Sequence, residues 1–437
     1  MHNDTDLILG EKIMLIRKSK GFSLDNAAHD TKLSKSTLCR LERGTINISP
    51  EQLKRIKKFL EIEEAPLLTP ELKVYKDRIW VWNDLINANR ITEARDIQKD
   101  LSIIRVLSFE KELNLLYSMT YARLLIKEHK LQKAEEYLNK AEASIDEACI
   151  AARYLFHFCK GSIDCINGEY KSALTHLLKN LNLGSDDIGP DISLFSLLGS
   201  AYLGLGKPYR AIYFLEHARE KYNPDRTNST LMYMMNTLAI CYEHIGDFCK
   251  AKNLLEDTIA QAKYLKDNHL LGMALSNMSN LCQKSNAYDE SIAICDQALE
   301  YLKDDKHSYA VTLYIKASAL LKARKLARCK EVLQQGAAMS EGDSDLTMMF
   351  NAQRHLMTMN STGSADYLEN VAIPYFKERN GLKKFIALDI CKELEAHYKK
   401  KKLKTKAFVI AAIIREIYEE VFFEDYRLSD NHMHHSH

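Results

Sequence analysis

The residues of this chain best suited to chemistry are cationic, and they are concentrated near its amino-terminal end. Residues 10–60 contain 12 Lys and Arg against five Asp and Glu, a net charge of +7, whereas all other residues together carry a net charge of −5. Ammonium and guanidinium groups at this density bind phosphate-rich polymers and release their counterions. The sequence therefore predicts that one small domain binds a polyanion and that the remaining residues have a different role.

Short helices must position these cations. Ser23, Ser34 and Ser49 each precede a run that alternates apolar and polar residues with helical spacing, and a serine hydroxyl in that place caps a helix. The helix after Ser34 is expected to direct Leu38 and Leu41 inward and to stop at Gly44, whereas a helix ahead of these presents Leu9, Ile13 and Ile16 on one face. Two short helices joined by a tight turn form the helix-turn-helix layout.

The segment from Gly21 to Gly44 resembles the Cro/phage-repressor type of helix-turn-helix. That family usually ends its motif S-x-S-T-(apolar)-x-R-(apolar)-E-R-G, and here the ending runs from Ser34 to Gly44 as SKSTLCRLERG. The resemblance implies a recognition helix in the major groove of double-stranded DNA, with Glu42 as the internal partner of an arginine. The family usually has a polar residue where this chain has Leu24. The DNA-binding residues implied are Lys35, Ser36, Thr37 and Arg40 on the helix, with Arg43, Thr45 and Asn47 near the phosphates.

Composition favours helices for the rest of the chain as well. Only 7 Pro and 16 Gly occur in 437 residues, which is too few for the frequent turns of a β-sandwich or barrel. Small residues also recur with a mean step of about 39 residues, which indicates a repeat. The spacing between Cys329 and Ala407 is two repeat lengths, so a degenerate copy of the repeat is expected between them, at residues 340–380. With this copy the predicted number of helix pairs is nine. The small residues that open each second helix are Ala94, Ala134, Ala173, Ala211, Ala251, Ser291 and Cys329, and the degenerate copy should carry Ala372, Ile373, Pro374, Tyr375 and Phe376 on its second helix.

The order of residues within a copy resembles the tetratricopeptide repeat. It is clearest in Leu198-Gly199-x-x-Tyr202-x-x-x-Gly206, followed by Ala211. The expected fold is therefore all-α: a helix-turn-helix domain (1–61), a connector (62–74), a right-handed superhelical repeat array (75–428) and a disordered His-rich tail (429–437). The concave surface of such an array binds extended peptides, and the candidates by repeat position are Arg123, Tyr233, Asn236, Glu243, His244, Asn280 and Gln283. Asn236 and Asn280 are the best backbone clamps, because an amide both donates and accepts.

The combination of these two parts is similar to the RRNPP peptide-pheromone receptors of Gram-positive bacteria, which include PlcR and NprR. The resemblance implies a quorum-sensing transcriptional regulator, usually a homodimer, that binds a short imported signalling peptide and thereby alters its binding to a DNA operator. Other relatives in that group act on response regulators, so an antagonist or phosphatase-like role remains an alternative, and a protein scaffold is a third.

Neither an enzyme, a cofactor nor a membrane location is expected. The chain has no P-loop, dinucleotide glycine motif, H-E-x-x-H or G-x-S-x-G sequence, so no catalytic residue is assigned. The ten Cys occur singly, which favours reduced thiols in the core over a metal cage. The opening residues lack the pattern of a signal peptide and no apolar run reaches 18 residues, so a cytoplasmic protein is expected.

Overall fold

The computed structural model describes residues 20–61, 70–102, 111–183, 192–220, 229–361, 363–379 and 381–423, together with residues 10, 13, 14 and 16–18. All regular structure in these ranges is helical, which confirms the all-α prediction. The chain forms two compact units, Met1–Cys159 and Lys160–His437. This boundary differs from the one expected near residues 62–74, because a repeat array is held together mainly by contacts between neighbouring repeats and a division can therefore fall inside it. Most of the connector and the His-rich tail lie outside the described residues.

In the first unit, residues 10, 13, 14 and 16–18 are helical, and three short helices follow them: α1 (Leu24–Thr31), α2 (Lys35–Glu42) and α3 (Pro50–Phe59). Each begins at a predicted serine cap, which accepts a hydrogen bond from a backbone N–H two or three residues into its helix at 3.0–3.2 Å. Gln52 returns a bond to the Ser49 N–H at 3.0 Å and completes a capping box. The capping predictions are confirmed.

A small apolar core holds these helices together. It is built from Ile13, Ile16, Ala27, Leu38, Leu41, Ile56 and Leu60, with Leu24 packed against it. The polar residue that the resemblance expects at position 24 would have lost this contact, so the departure from the family pattern has a structural cause. Leu9, expected on the first helix, lies outside the described residues.

A buried ion pair fixes the end of α2 to the residues that precede α1. The Arg17 guanidinium donates from Nε and Nη2 to the two carboxylate oxygens of Glu42 at 2.6 and 2.9 Å, and from Nη1 to the Phe22 carbonyl at 2.7 Å. Both side chains are at most 5% exposed, and the bond to Glu42 raises the pKa of Arg17. Glu42 is therefore the internal partner of an arginine, as predicted.

The repeat array begins earlier than expected. Helix α4 (Pro70–Asn87) includes residues 70–74, which were assigned to the connector, because a proline suits the first turn of a helix. It pairs with α5 (Ile91–Ser102), and α6 (Lys111–Lys127) pairs with α7 (Leu131–Glu142). Helix α8 (Ile150–Ile166) begins in the first unit and ends in the second.

The second unit continues the pattern of paired helices. Its helices are α9 (Tyr170–Asn182), α10 (Ile192–Gly204), α11 (Pro208–Glu220), α12 (Ser229–Ile245), α13 (Phe248–Leu265), α14 (Asn268–Lys284), α15 (Tyr288–Tyr301), α16 (Lys306–Lys322), α17 (Leu326–Met339), α18 (Ser344–Met357), α19 (Ser364–Tyr367), α20 (Ile373–Glu378), α21 (Lys383–Lys400) and α22 (Lys404–Tyr418). Sequential helices α10 and α11, α12 and α13, α14 and α15, and α21 and α22 pack against each other. Within the described ranges, the array contains nine such pairs, from α4–α5 to α21–α22.

The recurring small residues lie where two helices of a pair approach most closely. All seven that open a second helix, from Ala94 to Cys329, are at most 1% exposed. At Gly199 a Cβ atom would overlap the side chain of Leu215. Small residues at these positions let the helix pairs pack, as the repeat pattern predicts.

The degenerate pair has an irregular second helix. Helices α19 and α20 are joined by a π-helical segment, Leu368–Ala372, directly ahead of Pro374. Proline has no N–H to donate into a helix, and a π-bulge is one way for a chain to absorb the missing bond. Ile373 to Phe376 lie on α20 as predicted, whereas Ala372 ends the π segment.

Two further predictions concern the cysteines and a membrane location. None of the ten Cys is in a disulfide, and five of them are buried, but Cys249 is exposed, against the expectation that all lie in the core. No helix within the described ranges is long and apolar enough to cross a membrane.

Glu42→Ala should destabilise the first three helices by about 3–5 kcal/mol, because it leaves the Arg17 cation buried without its partner. The measurement is hydrogen–deuterium exchange of the amides of α1, α2 and α3 in the full chain. Arg55→Ala is the matched control, since it breaks an exposed pair with Glu51 in the same domain and should cost less than about 1 kcal/mol. Equal exchange in the two variants would show that the buried pair does not stabilise this domain.

Candidate sites for DNA and peptide

Helix α2 presents a polar outer face opposite its buried one. Ser36 and Arg40 on this helix and Arg43, the residue that caps its end, follow one another at i, i+4 and i+7 and are all exposed, whereas Leu38 and Leu41 face the core. Three further residues implied by the resemblance, Lys35, Thr45 and Asn47, are also exposed. The arrangement offers guanidinium and hydroxyl donors to a ligand that lies along α2.

Three of the implied DNA-binding residues already have partners within the domain. The Thr37 hydroxyl lies 2.7 Å from that of Ser34, and the Thr45 hydroxyl donates to the carbonyl of Arg40 at 2.9 Å. These contacts hold the two ends of α2, which is a structural use of both threonines. Lys35 donates to Asp25 at 2.8 Å, although both side chains remain more than half exposed. Ser36, Arg40 and Arg43 are therefore the strongest candidates on this face.

In the first unit, the peptide candidate Arg123 is almost fully buried on α6. Its Nη1 donates to the Asn83 amide oxygen at 2.8 Å, and the guanidinium lies 4.0 Å from the centre of the Phe158 ring. This residue therefore joins α4, α6 and α8, and it is 2% exposed. A ligand would reach it only after these contacts change.

In the second unit, four amide and carboxylate groups form two bonds between α12 and α14. Asn277 donates to the Asn236 amide oxygen at 3.0 Å, and Asn280 donates to the Glu243 carboxylate at 2.7 Å. Asn236 is 1% exposed and Glu243 is 7% exposed. The structure thus brings three of the predicted residues to one face, and their hydrogen-bonding groups are paired with the protein itself.

Tyr233 and Gln283 lie on the same two helices but make different contacts. The Tyr233 hydroxyl is 3.1 Å from Nδ1 of His269, and His269 in turn lies 2.9 Å from the Asp305 carboxylate. Gln283 donates to the backbone carbonyl of Ile315 on α16 at 3.0 Å. Both side chains therefore join consecutive repeats.

Helix α21 covers the end of α12. The His244 ring stacks on the Phe385 ring with 3.9 Å between centroids, and Lys284 lies 3.7 Å from the Asp389 carboxylate. Burial raises the pKa of Glu243 to about 7, opposed by Lys284 and assisted by Asp389. Burial also lowers the pKa of His244 to about 4, and Lys284 acts in the same direction.

The sequence analysis missed three residues that contact the candidate peptide residues or their neighbours: Asn277, Phe385 and Asp389. The repeat register could have identified the first of them. Asn277 follows Asn236 by 41 residues, close to one repeat period, so aligning the copies would have found it. Phe385 and Asp389 meet α12 and α14 from a pair much later in the chain. No local pattern marks such a contact, because it depends on how intervening repeats are stacked.

The amino-terminal domain has relatives among DNA-binding proteins. The helix-turn-helix family model matches residues 13–67. Control protein C.BamHI of Bacillus amyloliquefaciens is 33% identical over 69 residues, which are 85% of that protein and 16% of this chain. The chain belongs to the helix-turn-helix family. The HTH-type transcriptional regulator SlrR of Bacillus subtilis is 37% identical over 70 residues, which are 16% of this chain and 46% of that protein.

The repeat array has relatives of its own. Response regulator aspartate phosphatase E of Bacillus subtilis is 22% identical over 232 residues, which are 50% of this chain and 62% of that protein. The structure is similar to the apo form of the quorum sensor NprR from B. thuringiensis, with a TM-score of 0.63, 20% identity, and coverage of 80% of this chain and 99% of that one. It is also similar to NprR in complex with its cognate peptide NprX, with a TM-score of 0.61, 20% identity, and coverage of 78% and 99%. These similarities show that the chain shares the helical fold of these solved structures.

Glu243→Gln should stabilise the protein above pH 7 and have little effect below pH 4.5. Between these values the unfolded chain releases the Glu243 proton and the folded protein retains it, so the contribution of this carboxyl to stability is lost as the pH rises. The variant has no proton to release, and its amide oxygen can still accept from Asn280. The advantage of the variant over the native chain should therefore grow from pH 4.5 to pH 7.

The measurement is the difference in thermal midpoint between the two proteins, followed by circular dichroism across this range. The titration of His244 is common to both and largely cancels in the difference. Glu256→Gln is the control, since Glu256 is exposed on α13 and should give a flat difference. A flat difference for Glu243→Gln as well would contradict the assignment of a protonated, buried carboxyl.

Proposed function

We propose that this chain is a DNA-binding transcriptional regulator whose repeat array binds a short signalling peptide. The observation that carries the proposal is the exposed face of α2, where Ser36, Arg40 and Arg43 point away from a core that the buried Arg17–Glu42 pair fixes. A rigid helix with outward donors is what the major groove of DNA accepts. The names of SlrR and of the C.BamHI control protein support this reading, because both are regulatory proteins that share this domain.

The roles of the individual residues follow from their contacts. Arg40 has the reach and the paired donors to bind a guanine edge, and Ser36 is short enough to bind a base close to the helix. Arg43, Asn47 and the backbone near Thr45 follow the helix and are placed to bind phosphates. Lys35 must exchange its contact with Asp25 for one with DNA, whereas Thr37 acts mainly on the geometry of the cap.

The peptide is proposed to bind the face of α12 and α14 that carries Asn236, Glu243 and Asn280. The solved structure of NprR with its cognate peptide supports a peptide role for an array of this fold. In this chain the amides are already bonded to each other, so a peptide backbone would replace those bonds with its own. Such an exchange costs little in hydrogen-bond energy, because bonds are replaced and none is lost.

Regulation would follow from a homodimer in the cytoplasm. Two recognition helices bind one operator well when they lie about 34 Å apart, one turn of the DNA helix. A peptide that binds one shape of the array more tightly than another would change this separation, to the extent of its difference in affinity. In this proposal the chain regulates by binding alone and has no catalytic residue or cofactor.

A second function is favoured by one observation, the similarity to response regulator aspartate phosphatase E over 232 residues. A chain of this kind would contact a response regulator and antagonise it or remove its phosphoryl group. The cationic domain in front of the array would then have no DNA to bind. The two functions therefore differ in a single measurable property, specific affinity for an operator.

The test is a titration of the full chain with genomic DNA fragments at several salt concentrations. We expect specific binding whose affinity falls steeply with salt, and Arg40→Ala should weaken it by roughly 1–3 kcal/mol and relax the sequence preference at one position. Arg328→Ala is the charge-matched control, since Arg328 is an exposed residue of the second unit, and it should leave the affinity unchanged.

Each other outcome has a defined meaning. Specific binding with an unchanged preference in Arg40→Ala would remove this residue from the base contacts. Binding that no peptide from the culture medium of the source organism alters would indicate a constitutive regulator. An absence of specific binding, combined with affinity for a response regulator, would replace the proposal with the second function.

A further inference from the structure

The last helix pair folds back onto repeats that come three to five pairs earlier in the chain. Gly381, directly ahead of α21, lies against Gly204 at the end of α10 and against Gly206 in the turn that follows. A repeat array needs contacts only between neighbouring pairs, so a contact over this distance in sequence is an additional feature of this chain. It lies wholly within the second unit.

Gly381 has two reasons to be glycine. Its φ of +83° is in the region that side chains disfavour, and a Cβ atom there would overlap the carbonyl oxygen of Gly204. On the other side of the contact, a Cβ atom at Gly206 would lie 3.2 Å from the Gly381 Cα atom. The two backbones therefore meet without intervening side chains, and this approach is possible only while position 381 has no side chain.

Aromatic rings extend the contact beyond the glycines. Besides its stack on His244, Phe385 meets the Phe422 ring edge-on with 5.9 Å between centroids. Phe422 in turn meets Tyr209 at the start of α11 at 6.4 Å. The last pair, together with the π-helical segment Glu419–Phe423 that follows it, therefore contacts the turn after α10, the start of α11 and the end of α12.

One ion pair completes the contact next to the candidate peptide residues. Lys284 at the end of α14 faces Asp389 on α21, while Glu243 and Asn280 are bonded to each other on the adjacent face of α12 and α14. Helix α21 thus covers one end of the surface on which the peptide is proposed to bind. The side chains that cover it are Phe385, through His244, and Asp389, through Lys284.

We propose that the start of α21 is an intramolecular occupant of the peptide-binding face, held there by the Gly204–Gly381 contact, and that a signalling peptide must compete with it. This inference rests on the proposed function for the identity of the competitor, but the closed contact itself does not depend on that function. The contact is small and partly exposed, so a modest differential affinity is enough to shift its population. The degenerate pair α18–α20, with its π segment before Pro374, immediately precedes α21 and is the place where the array can bend.

Gly381→Ala should open this contact in the full chain. The added methyl group overlaps the Gly204 carbonyl, so hydrogen–deuterium exchange at residues 204–208, 241–245 and 382–390 should rise by about tenfold or more. Gly363→Ala is the matched control, because Gly363 has a similar φ of +86° and nothing within 4 Å of a Cβ atom. The control should carry the same backbone strain without opening the contact.

The second measurement uses a fluorescein-labelled peptide of residues 381–392 of this chain as the probe. If α21 occupies the face, the opened variant should bind the probe at least about tenfold more tightly than the native chain or Gly363→Ala in a fluorescence anisotropy titration. Equal exchange and equal probe affinity in Gly381→Ala and Gly363→Ala would overturn the inference.

Exchanging the charges of Lys284 and Asp389 tests the same contact if Gly381→Ala fails to fold. Lys284→Asp should open the contact by placing two carboxylates together, and Lys284→Asp combined with Asp389→Lys should close it again. Failure of the double exchange to restore slow hydrogen exchange would also overturn the inference. None of these readouts uses DNA, so a negative operator titration would remove the proposed function and leave the closed contact standing.

Discussion

A helix pair of this array buries its apolar face mainly against the neighbouring pairs, and a polar group in that contact is costly to bury unless it finds a partner there. The chain meets this constraint with hydrogen bonds between residues 36–41 positions apart: Thr312 to Ser276, Asn280 to Glu243, Gln353 to the Tyr314 carbonyl, and Asn277 to Asn236. Their sequence separations are close to the repeat period itself. A buried amide left without its partner would cost as much as a typical core mutation, so these bonds fix the register of the stack.

The same constraint gives the candidate peptide residues a double role. Asn236 and Asn280 each take part in a bond between consecutive repeats, and a side-chain amide can both donate and accept. They therefore join neighbouring repeats in this structure, and in the proposed function the same amides would bind a peptide backbone. These side chains are already hydrogen-bonded within the array. A ligand that binds them must therefore break those bonds and replace them with its own.

Local chemistry made much of the fold predictable. The capping serines, Gly44 after α2, the inward Leu38 and Leu41, and the seven small residues of the repeats depend only on near neighbours in sequence, and the structure contains all of them. The resemblance to the Cro/phage-repressor type of helix-turn-helix also implied that Glu42 is an internal partner of an arginine, and its pair with Arg17 confirms this. The hydroxyls of Thr37 and Thr45 were assigned to DNA, yet their contacts also hold the ends of α2, since sequence pattern does not separate a cap from a contact.

The covering of α12 by α21 was out of reach for a different reason. It depends on how far each helix pair is rotated relative to the previous one, added over several pairs. The pair with the π segment has its own rotation, which local sequence patterns do not predict. Stability is therefore distributed unevenly along the chain. Arg17 and Glu42 are buried together and hold α2 in one arrangement, whereas the contact at Gly381 is accompanied by a partly exposed ion pair, Lys284 with Asp389. In the proposed function this difference has a use: the recognition helix would keep its shape in both states, and the element that responds to a ligand would come from the part of the protein that costs least to open.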